Sequence, residues 1–219
     1  MKWRVACFDI DGTLVTGTSI CQHLGDSFGH AEVIEELERR YASGEISNRQ
    51  VAERLAEYYR DRSLQEIAES LESVPLIQGI AETFSVLRQN GLQILLATVT
   101  WSFAARIIAQ RFDLDGWSGC EMGESKDRRL SGTVQRHFDE FDKRAFVEGY
   151  CRQHGIAMSD VVAVGDSRSD IPLFECVGCS IAINATEMAR KTASCSLDTN
   201  NLTDILRVVP GLEGRITSG

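Results

Sequence analysis

The sequence predicts an α/β fold: a Rossmann-like, mostly parallel sheet with helices on both faces, plus a helical cap inserted after the first strand. Four short apolar runs, rich in β-branched and aliphatic residues, are typical of buried parallel strands. The runs are residues 3–9, 92–98, 160–166 and 179–184. Helical patterns separate them, and this alternation indicates crossover connections that cover the sheet.

The core helices are indicated by apolar residues at helical spacing. The apolar positions are Ile80, Phe84 and Leu87 in the first helix, Phe103, Ile107 and Ile108 in the second, and Phe141, Ala145, Val147, Tyr150 and Cys151 in the third. Gly91 and Gly155 follow the first and third patterns, where a helix C-terminus favours glycine.

The apolar spacing within residues 16–76 predicts a small helical bundle inserted at the end of the first strand. Its apolar sets are Val33, Leu37 and Tyr41; Val51, Leu55 and Tyr58; and Leu64, Ile67 and Leu71. Gly44 and Ser63 are interpreted as a helix stop and a helix N-cap. We therefore expect an α/β core at 1–15 and 77–219 and a cap at 16–76. A second excursion, residues 120–134, has a polar turn between two short strand-like runs and predicts a β-hairpin.

Composition and charge narrow the class of protein. Of 219 residues, 43% are apolar and 25% charged, which is the ordinary globular mix. With 23 Lys and Arg against 32 Asp and Glu, the net charge of −9 argues against nucleic acid or an anionic membrane as a partner. There is no apolar run long enough to span a bilayer, and Asp9 and Asp11 interrupt the first apolar run, so a cytoplasmic location is expected.

Seven cysteines are spread along the chain, an odd number that predicts free thiols in a reducing compartment. Cys176 and Cys179 have the spacing of a redox motif or of half a zinc site. No second pair of this kind occurs, and the segment is apolar. We therefore interpret both as structural cysteines.

Polar residues end the four predicted strands: Asp9, Thr98, Asp166 and Asn184. The carboxyl ends of parallel strands form the sheet edge at which α/β proteins bind ligands. Asp11 follows Asp9 at a distance of two residues, Asp170 follows Asp166 at four, and Lys143 lies near the start of a helix. Asn184 is interpreted as a strand-end cap, and the others as candidate site residues.

Asp9, Asp11 and Asp166 would repel one another in one pocket unless a cation lay among them. Carboxylates and backbone carbonyls are hard oxygen ligands, which indicates Mg²⁺ as the cofactor. One carboxylate of the Asp9–Asp11 pair can then act as metal ligand and nucleophile, and the other as acid and base. An EF-hand does not fit "DIDGT", because Gly12 is fourth and Ile20 twelfth, and neither GxxxxGK[ST] nor GxGxxG occurs.

These segments resemble a known family. "FDIDGTLV", "LLATVT", Lys143 and "VVAVGDSRSDIPLF" resemble the four motifs of the haloacid dehalogenase superfamily of aspartate-nucleophile phosphohydrolases. The position of the helical insertion resembles the phosphoserine phosphatase-like branch of that superfamily. The resemblance extends from Arg4 to about Leu206.

The resemblance implies a phosphatase mechanism. Asp9 would attack phosphorus and form an aspartyl-phosphate, while Asp11 would protonate the leaving oxygen and later deprotonate water. Mg²⁺ would be held by the carboxylates of Asp9 and Asp166 and the backbone carbonyl of Asp11.

The remaining motif residues would bind or support the phosphoryl group. Thr98 and Lys143 would hold its oxygens, with Thr100 as the alternative hydroxyl donor. Asp170 would orient Lys143 or a metal-bound water.

The chain also departs from that branch. Thr18 stands where an acid usually meets the substrate ammonium, and the expected cap arginine falls near Leu55 with Arg54 beside it. Val99 and Thr100 stand where two glycines usually follow the hydroxyl of the second motif. We therefore expect a small phosphomonoester other than phosphoserine. The alternatives are a phosphoserine phosphatase proper, a phosphotransferase that uses the same aspartyl-phosphate, and a non-catalytic binding protein.

Overall fold

The computed structural model describes residues 2–212. The strands are β1 (Val5–Phe8), β2 (Gln93–Leu96), β3 (Gly116–Trp117), β4 (Glu121–Glu124), β5 (Leu130–Arg136), β6 (Val161–Gly165), β7 (Cys179–Ile183) and β8 (Cys195–Leu197). The helices are α1 (Ile20–Phe28), α2 (Ala31–Ala42), α3 (Asn48–Tyr58), α4 (Leu64–Leu71), α5 (Ile80–Gln89), α6 (Ser102–Arg111), α7 (Glu140–His154), α8 (Ile171–Phe174) and α9 (Glu187–Thr192). Short 3-10 turns lie at Met158–Asp160, Arg168–Asp170 and Leu202–Arg207.

A parallel sheet of six strands, in the order β3-β2-β1-β6-β7-β8, runs through the described part of the chain. Phe8 at the end of β1 pairs with Leu96 of β2 and Val164 of β6. The residues that follow these three strands therefore emerge side by side at one sheet edge. The order reverses direction at β1, which is the position where such sheets bind ligands.

The predicted fold class is confirmed, because the four predicted strands contain β1, β2, β6 and β7. Sequence reasoning missed β3 and β8. Both are edge strands, with two and three residues, and neither forms a fully buried apolar run. Periodicity does not detect strands of this length.

Helices cover both faces of the sheet, as predicted. On one face, a large apolar cluster joins the strands to α5, α6 and the inserted helices. On the other face, a smaller cluster is formed with α7, α8 and α9, through residues such as Val147, Leu173 and Ala189. Among the helices within residues 2–212, none has both the length and the apolar character needed to cross a membrane.

Four helices, α1 to α4, lie between β1 and α5. Ser63 accepts a hydrogen bond from the backbone N–H of Glu66 and begins α4, as its predicted N-cap role requires. The predicted apolar position Tyr58 is wrong: its side chain is 44% exposed, whereas Tyr59 is fully buried. Tyr59 follows the last residue of α3 and makes edge-on ring contacts with Trp101 and Phe103.

The predicted apolar face of α7 is also shifted. Phe141 is 66% exposed, and the buried residues of this helix are Lys143, Val147 and Cys151. These three are spaced by four residues, so they form one stripe against the sheet. Because Lys143 is charged, the apolar periodicity does not include it, and the prediction assigned the nearby Phe141 to the buried face instead.

The predicted hairpin is present as β4 and β5, and it packs against the inserted helices. Backbone hydrogen bonds join Asp61 N–H to the Leu130 carbonyl, at 2.9 Å, and Leu130 N–H to the Arg62 carbonyl, at 2.8 Å. These bonds attach the link between α3 and α4 to the hairpin, which lies more than 50 residues further along the chain than the end of the insertion. All seven cysteines lie within the described residues and are free thiols.

Candidate active site

Asp9 is the first residue after β1, and its position is set by the sheet: its N–H donates to the Val164 carbonyl of β6 at 2.9 Å. The carboxylate is buried, with 5% of the side chain exposed. Its Oδ1 accepts a hydrogen bond from the N–H of Ile10 at 2.7 Å, and its Oδ2 lies 3.1 Å from the Lys143 ammonium. The carboxylate is therefore held in one orientation at the sheet edge.

Lys143 reaches the site from the first turn of α7, which begins where Asp139 caps the N–H groups of Phe141 and Asp142. Its side chain is fully buried, and Nζ lies 2.7 Å from Asp170 Oδ1. Nζ also donates to the hydroxyl of Ser169 at 3.0 Å.

Burial alone lowers the pKa of Lys143, but the carboxylates of Asp170 and Asp9 outweigh it and raise the pKa above its ordinary value. The ammonium therefore stays charged. A buried, charged lysine beside a carboxylate at the sheet edge is suited to binding the oxygens of a phosphoryl group.

Asp170 holds two parts of the site together. Its Oδ1 binds Lys143, and its Oδ2 accepts from the backbone N–H groups of Asp166 and Ser167, both at 3.1 Å. Gly165 makes room for this carboxylate, since a Cβ there would lie 2.2 Å from Asp170 Cγ. Of the two predicted roles for Asp170, the geometry favours orientation of Lys143.

Asp166 follows β6, next to Asp9. Its Oδ1 is buried and has no hydrogen-bond partner among the described residues. Gly12, with φ of +79°, comes close to the same carboxylate: a Cβ at this position would lie 2.3 Å from Asp166 Oδ2. An unpartnered carboxylate oxygen in a polar pocket is the arrangement expected for a ligand to a cation.

Carboxylate oxygens of Asp9, Asp166 and Asp170 lie within 4.8 Å of one another. Asp170 is already engaged by Lys143 and two N–H groups, whereas Asp166 has an oxygen available. This all-oxygen donor set, with its excess of negative charge, fits a hard divalent cation such as Mg²⁺.

Burial and mutual repulsion make these carboxyls hard to ionise without a cation. The pKa of Asp9 is raised well above its ordinary range by burial, an effect that Lys143 opposes and that Asp170 and Asp166 increase. The pKa of Asp166 is raised to about 7, chiefly by burial and then by the Asp170 charge. A divalent cation would favour the ionised forms and reverse both shifts.

Asp11 faces the inserted helices. Its Oδ1 accepts from the N–H of Ile20, the first residue of α1, at 2.6 Å. Burial raises the pKa of Asp11 to about 6, while the Ile20 N–H and the Lys143 charge act in the opposite direction. A carboxyl with this pKa exchanges its proton near neutral pH, as a general acid and base must.

The two threonines after β2 have different surroundings. Thr98, 1% exposed, accepts the Thr100 N–H on its hydroxyl at 3.3 Å, which leaves its own proton available for an acceptor. The Thr100 hydroxyl lies 3.6 Å from the thiol of Cys21 in α1. The geometry thus favours Thr98 as the hydroxyl donor to a phosphoryl group.

Sequence reasoning did not assign roles to Ser169 or Arg168. Ser169 contacts Lys143. Its place inside the "GDSRSD" motif, directly before Asp170, could have indicated a role at the site. Arg168 Nη2 donates to the hydroxyl of Tyr41 in α2 at 2.7 Å. This contact joins the loop after β6 to the inserted helices, and no local pattern could have predicted it.

Comparison with known proteins places the chain among phosphatases. A family model described as haloacid dehalogenase-like hydrolase matches residues 6–175. The phosphoserine phosphatase of Archaeoglobus fulgidus is 28% identical over 207 residues, which cover 94% of this chain and 60% of that protein. The phosphoserine phosphatase of Methanocaldococcus jannaschii is 23% identical over 209 residues, which cover 95% of this chain and 98% of that protein.

Solved structures have the same fold. A HAD family hydrolase of Salmonella enterica serovar Typhi superposes with a TM-score of 0.86 at 15% identity, over 94% of this chain and 71% of that chain. A phospho-aspartyl intermediate analogue of phosphoserine phosphatase superposes with a TM-score of 0.79 at 23% identity, over 95% of this chain and 100% of that chain.

These relatives support the predicted phosphoserine phosphatase-like branch and the predicted enzyme class, a phosphoric monoester hydrolase. The family match covers more than half of the chain and contains the residues of all four motifs. The chain therefore belongs to the haloacid dehalogenase-like hydrolase family.

Proposed function

We propose that the protein is a Mg²⁺-dependent phosphatase that hydrolyses a small phosphomonoester through an aspartyl-phosphate on Asp9. The observation that carries this proposal is the buried Asp9 carboxylate at the end of β1, with Lys143 3.1 Å from its Oδ2. The carboxylate of Asp166 lies within the same acidic cluster. A positioned nucleophile, a fixed cation and a cation-binding pair of acids are the parts that phosphoryl transfer needs.

In the first step, a carboxylate oxygen of Asp9 forms a bond to phosphorus while the bond between phosphorus and the ester oxygen breaks. Asp11 gives its proton to the departing alcohol. Lys143 and Thr98 bind phosphoryl oxygens, and this charge stabilisation supplies much of the rate enhancement.

In the second step, water attacks phosphorus and loses a proton to Asp11. The bond from phosphorus to Asp9 breaks, which regenerates the carboxylate and releases inorganic phosphate. Asp11 thus ends the cycle protonated again, ready for the next substrate.

The carboxylates of Asp9 and Asp166 and the backbone carbonyl of Asp11 would hold Mg²⁺. When bound, the ion neutralises the clustered carboxylates and withdraws charge from a phosphoryl oxygen. Asp170 acts as a positioning residue, because it holds both Lys143 and the backbone of the loop that carries Asp166.

We further propose that residues 16–76 form a cap over this site and that the protein acts in the cytoplasm without nucleic acid or membrane partners. The contact of α1 with Asp11 and of α2 with Arg168 supports a cap that borders the substrate. A cap in this position limits the access of water during the first step.

Phosphoserine is the second candidate substrate, because the relatives at 23% and 28% identity are phosphoserine phosphatases. Features of this chain speak against it. Thr18 donates its hydroxyl proton to the Ser19 carbonyl and carries no charge. Leu55 is buried, and Arg54 is exposed on the outer surface of α3. Neither residue at the expected position is therefore a buried arginine.

Hydrolysis of p-nitrophenyl phosphate, with and without Mg²⁺, tests the proposal. Asp9→Asn should lower kcat by about 10⁴-fold or more, since it removes the nucleophile. The exposed Asp127→Asn in the hairpin turn is the matched control and should retain the wild-type rate. Equal rates for Asp9→Asn and wild type, or full activity after chelation of divalent cations, would disprove the mechanism.

A further inference from the structure

The two carboxyls that follow β1 are held by different parts of the chain. Asp9 accepts a hydrogen bond from the Ile10 N–H and contacts Lys143, so its orientation is fixed by the α/β core. Within residues 2–212, the Asp11 carboxyl accepts a single hydrogen bond, from the N–H of Ile20 at 2.6 Å. Ile20 is the first residue of α1, in the insertion. The orientation of the Asp11 carboxyl is therefore set by an inserted helix.

The first turn of α1 is itself fixed by three contacts. The Ser19 hydroxyl accepts a hydrogen bond from the Gln22 N–H at 3.0 Å and caps the helix. The Ile20 side chain is fully buried in the large apolar cluster. The Cys21 thiol lies 3.6 Å from the hydroxyl of Thr100, in the loop after β2. The N–H of Ile20 consequently has a defined position relative to the site.

The hydrogen bond from Ile20 also distinguishes the two oxygens of the Asp11 carboxyl. The N–H reaches Oδ1. A protonated carboxyl has one O–H donor, and its other oxygen is the better acceptor. Because Oδ1 accepts the N–H, the acidic proton is favoured on Oδ2. Under the proposed mechanism Mg²⁺ would take only the backbone carbonyl of Asp11, so Oδ2 stays available for proton transfer.

We propose that Ile20 is a positioning residue, whose backbone N–H holds the Asp11 carboxyl with its proton on Oδ2, the oxygen that protonates the departing alcohol. This inference rests on the proposed function and adds a structural dependence to it: the acid and base of the reaction is positioned by the inserted helices. Misplacement of a reacting group by about 1 Å can lower a rate by about a hundredfold, so loss of this N–H should be measurable.

Ile20→Pro removes the N–H with little disturbance of the helix start. Proline is favoured at the first helical position, where the helix itself does not need the N–H. The residue before a proline must be extended, and Ser19 already has φ of −110° and ψ of 165°. Ile20→Val is the matched control, because valine has as many side-chain carbons as proline and keeps the N–H. Both variants lose buried volume at the same place.

The readout is the dependence of the rate on the basicity of the departing oxygen. p-Nitrophenolate leaves without a proton, phenolate is more basic, and the oxygen of benzyl alcohol must be protonated as it leaves. The three phosphates share an aromatic ring, so they differ chiefly in their need for the Asp11 proton. The quantity measured is kcat/KM, because it covers the steps up to formation of the aspartyl-phosphate and excludes its hydrolysis.

In Ile20→Pro, the ratio of kcat/KM for benzyl phosphate to that for p-nitrophenyl phosphate should fall by about tenfold or more relative to wild type. The ratio for phenyl phosphate should fall less. Asp11→Asn should show the same order with a larger loss, and Ile20→Val should keep the wild-type ratio. General destabilisation would lower all three rates together and leave the ratios unchanged.

Ser19→Ala provides a second test that keeps Ile20 and its N–H. It removes the cap and loosens the first turn of α1, whereas Ser19→Thr retains a hydroxyl that can accept the Gln22 N–H. The ratio for benzyl phosphate should fall by about threefold in Ser19→Ala and stay at the wild-type value in Ser19→Thr.

Equal ratios in Ile20→Pro and Ile20→Val would overturn the inference if Asp11→Asn changes the ratio. Should Ile20→Pro fail to fold, equal ratios in Ser19→Ala and Ser19→Thr would overturn it. These results leave the proposed function intact. A ratio that Asp11→Asn does not change, or an Asp9→Asn variant that hydrolyses p-nitrophenyl phosphate as fast as wild type, would instead reject the proposed function, and the inference with it.

Discussion

The two sides of the active site come from different parts of the chain and hold their charges in different ways. Asp9, Lys143 and Asp170 form a buried network anchored on the sheet and α7. Asp11 instead faces α1 and accepts one hydrogen bond from the Ile20 N–H, while Lys143 acts on it through its charge alone. Under the proposed function, the first side holds the nucleophile and the phosphoryl group, and the second transfers the proton and borders the alcohol part of the substrate.

The difference between the two sides of the site has an energetic basis. A buried ion network is costly to form and still more costly to break, because the remaining charges lose their partners. The sheet side therefore tolerates little change. The side near Asp11 contains fewer buried charges, so a change of charge there should cost less stability.

Loss of the buried cation should have the largest effect. Lys143→Met leaves Asp9 and Asp170 buried without their positive partner, and we expect a loss of about 3–5 kcal/mol in the free energy of unfolding. Urea denaturation measures it. Arg144→Met, an exposed neighbour on the same helix, should leave the free energy of unfolding nearly unchanged. Similar losses for both variants would mean that the buried network adds no more to the free energy of unfolding than an exposed ion pair.

The pH dependence of stability tests the other side. Asp11 has a pKa of about 6 in the fold and 3.8 as its ordinary value. Between these values, the unfolded chain has lost the proton that the folded protein still holds, so the Asp11 contribution to stability falls as pH rises and then levels off above pH 6.

We therefore expect the stability of metal-free wild type, relative to Asp11→Asn, to fall by about 2 kcal/mol between pH 4 and pH 7. Asparagine can still accept the Ile20 N–H, which makes the variant a fair reference. Urea midpoints at several pH values provide the measurement. A difference that does not vary with pH would contradict the raised pKa.

Gly12→Ala tests the close approach between the first loop and Asp166. Gly12 and Gly17 have similar positive φ, +79° and +74°, but a Cβ at Gly17 meets no described atom within 4 Å. Both alanine variants should lose about 1 kcal/mol from backbone strain. Gly12→Ala alone should also weaken the activation by Mg²⁺ by about tenfold, because it displaces the Asp166 carboxylate.

Titration of activity against Mg²⁺ concentration separates these two effects. If Gly12→Ala and Gly17→Ala require the same Mg²⁺ concentration for half-maximal activity, Asp166 does not take part in holding the ion in the way we propose.

The smallest expected effect lies in the insertion itself. Ser63→Ala removes the cap of α4 and should lower the free energy of unfolding by about 1 kcal/mol. The rate with p-nitrophenyl phosphate should stay the same, because α4 does not border the catalytic residues. A loss of rate without a loss of stability would show that α4 communicates with the site.

Much of the fold was predictable, since each major strand is a compact apolar run and each core helix has a periodic face. The errors occurred where two similar residues are adjacent or a charged residue is buried. Tyr58 and Tyr59 differ by one position, and only the end of α3 decides which is buried. Phe141 replaced Lys143 in the predicted face because lysine is rarely buried without partners.

The motifs alone specify the sheet, the insertion and the acids that end β1 and β6, because strand-end residues of a parallel sheet must meet at one edge. Contacts between distant segments could not be foreseen in the same way. The pairing of Lys143 with Asp170 and the hairpin contact with the α3–α4 link depend on how helices pack across the sheet. Helix packing depends on side-chain shape over the whole molecule, which local periodicity does not record.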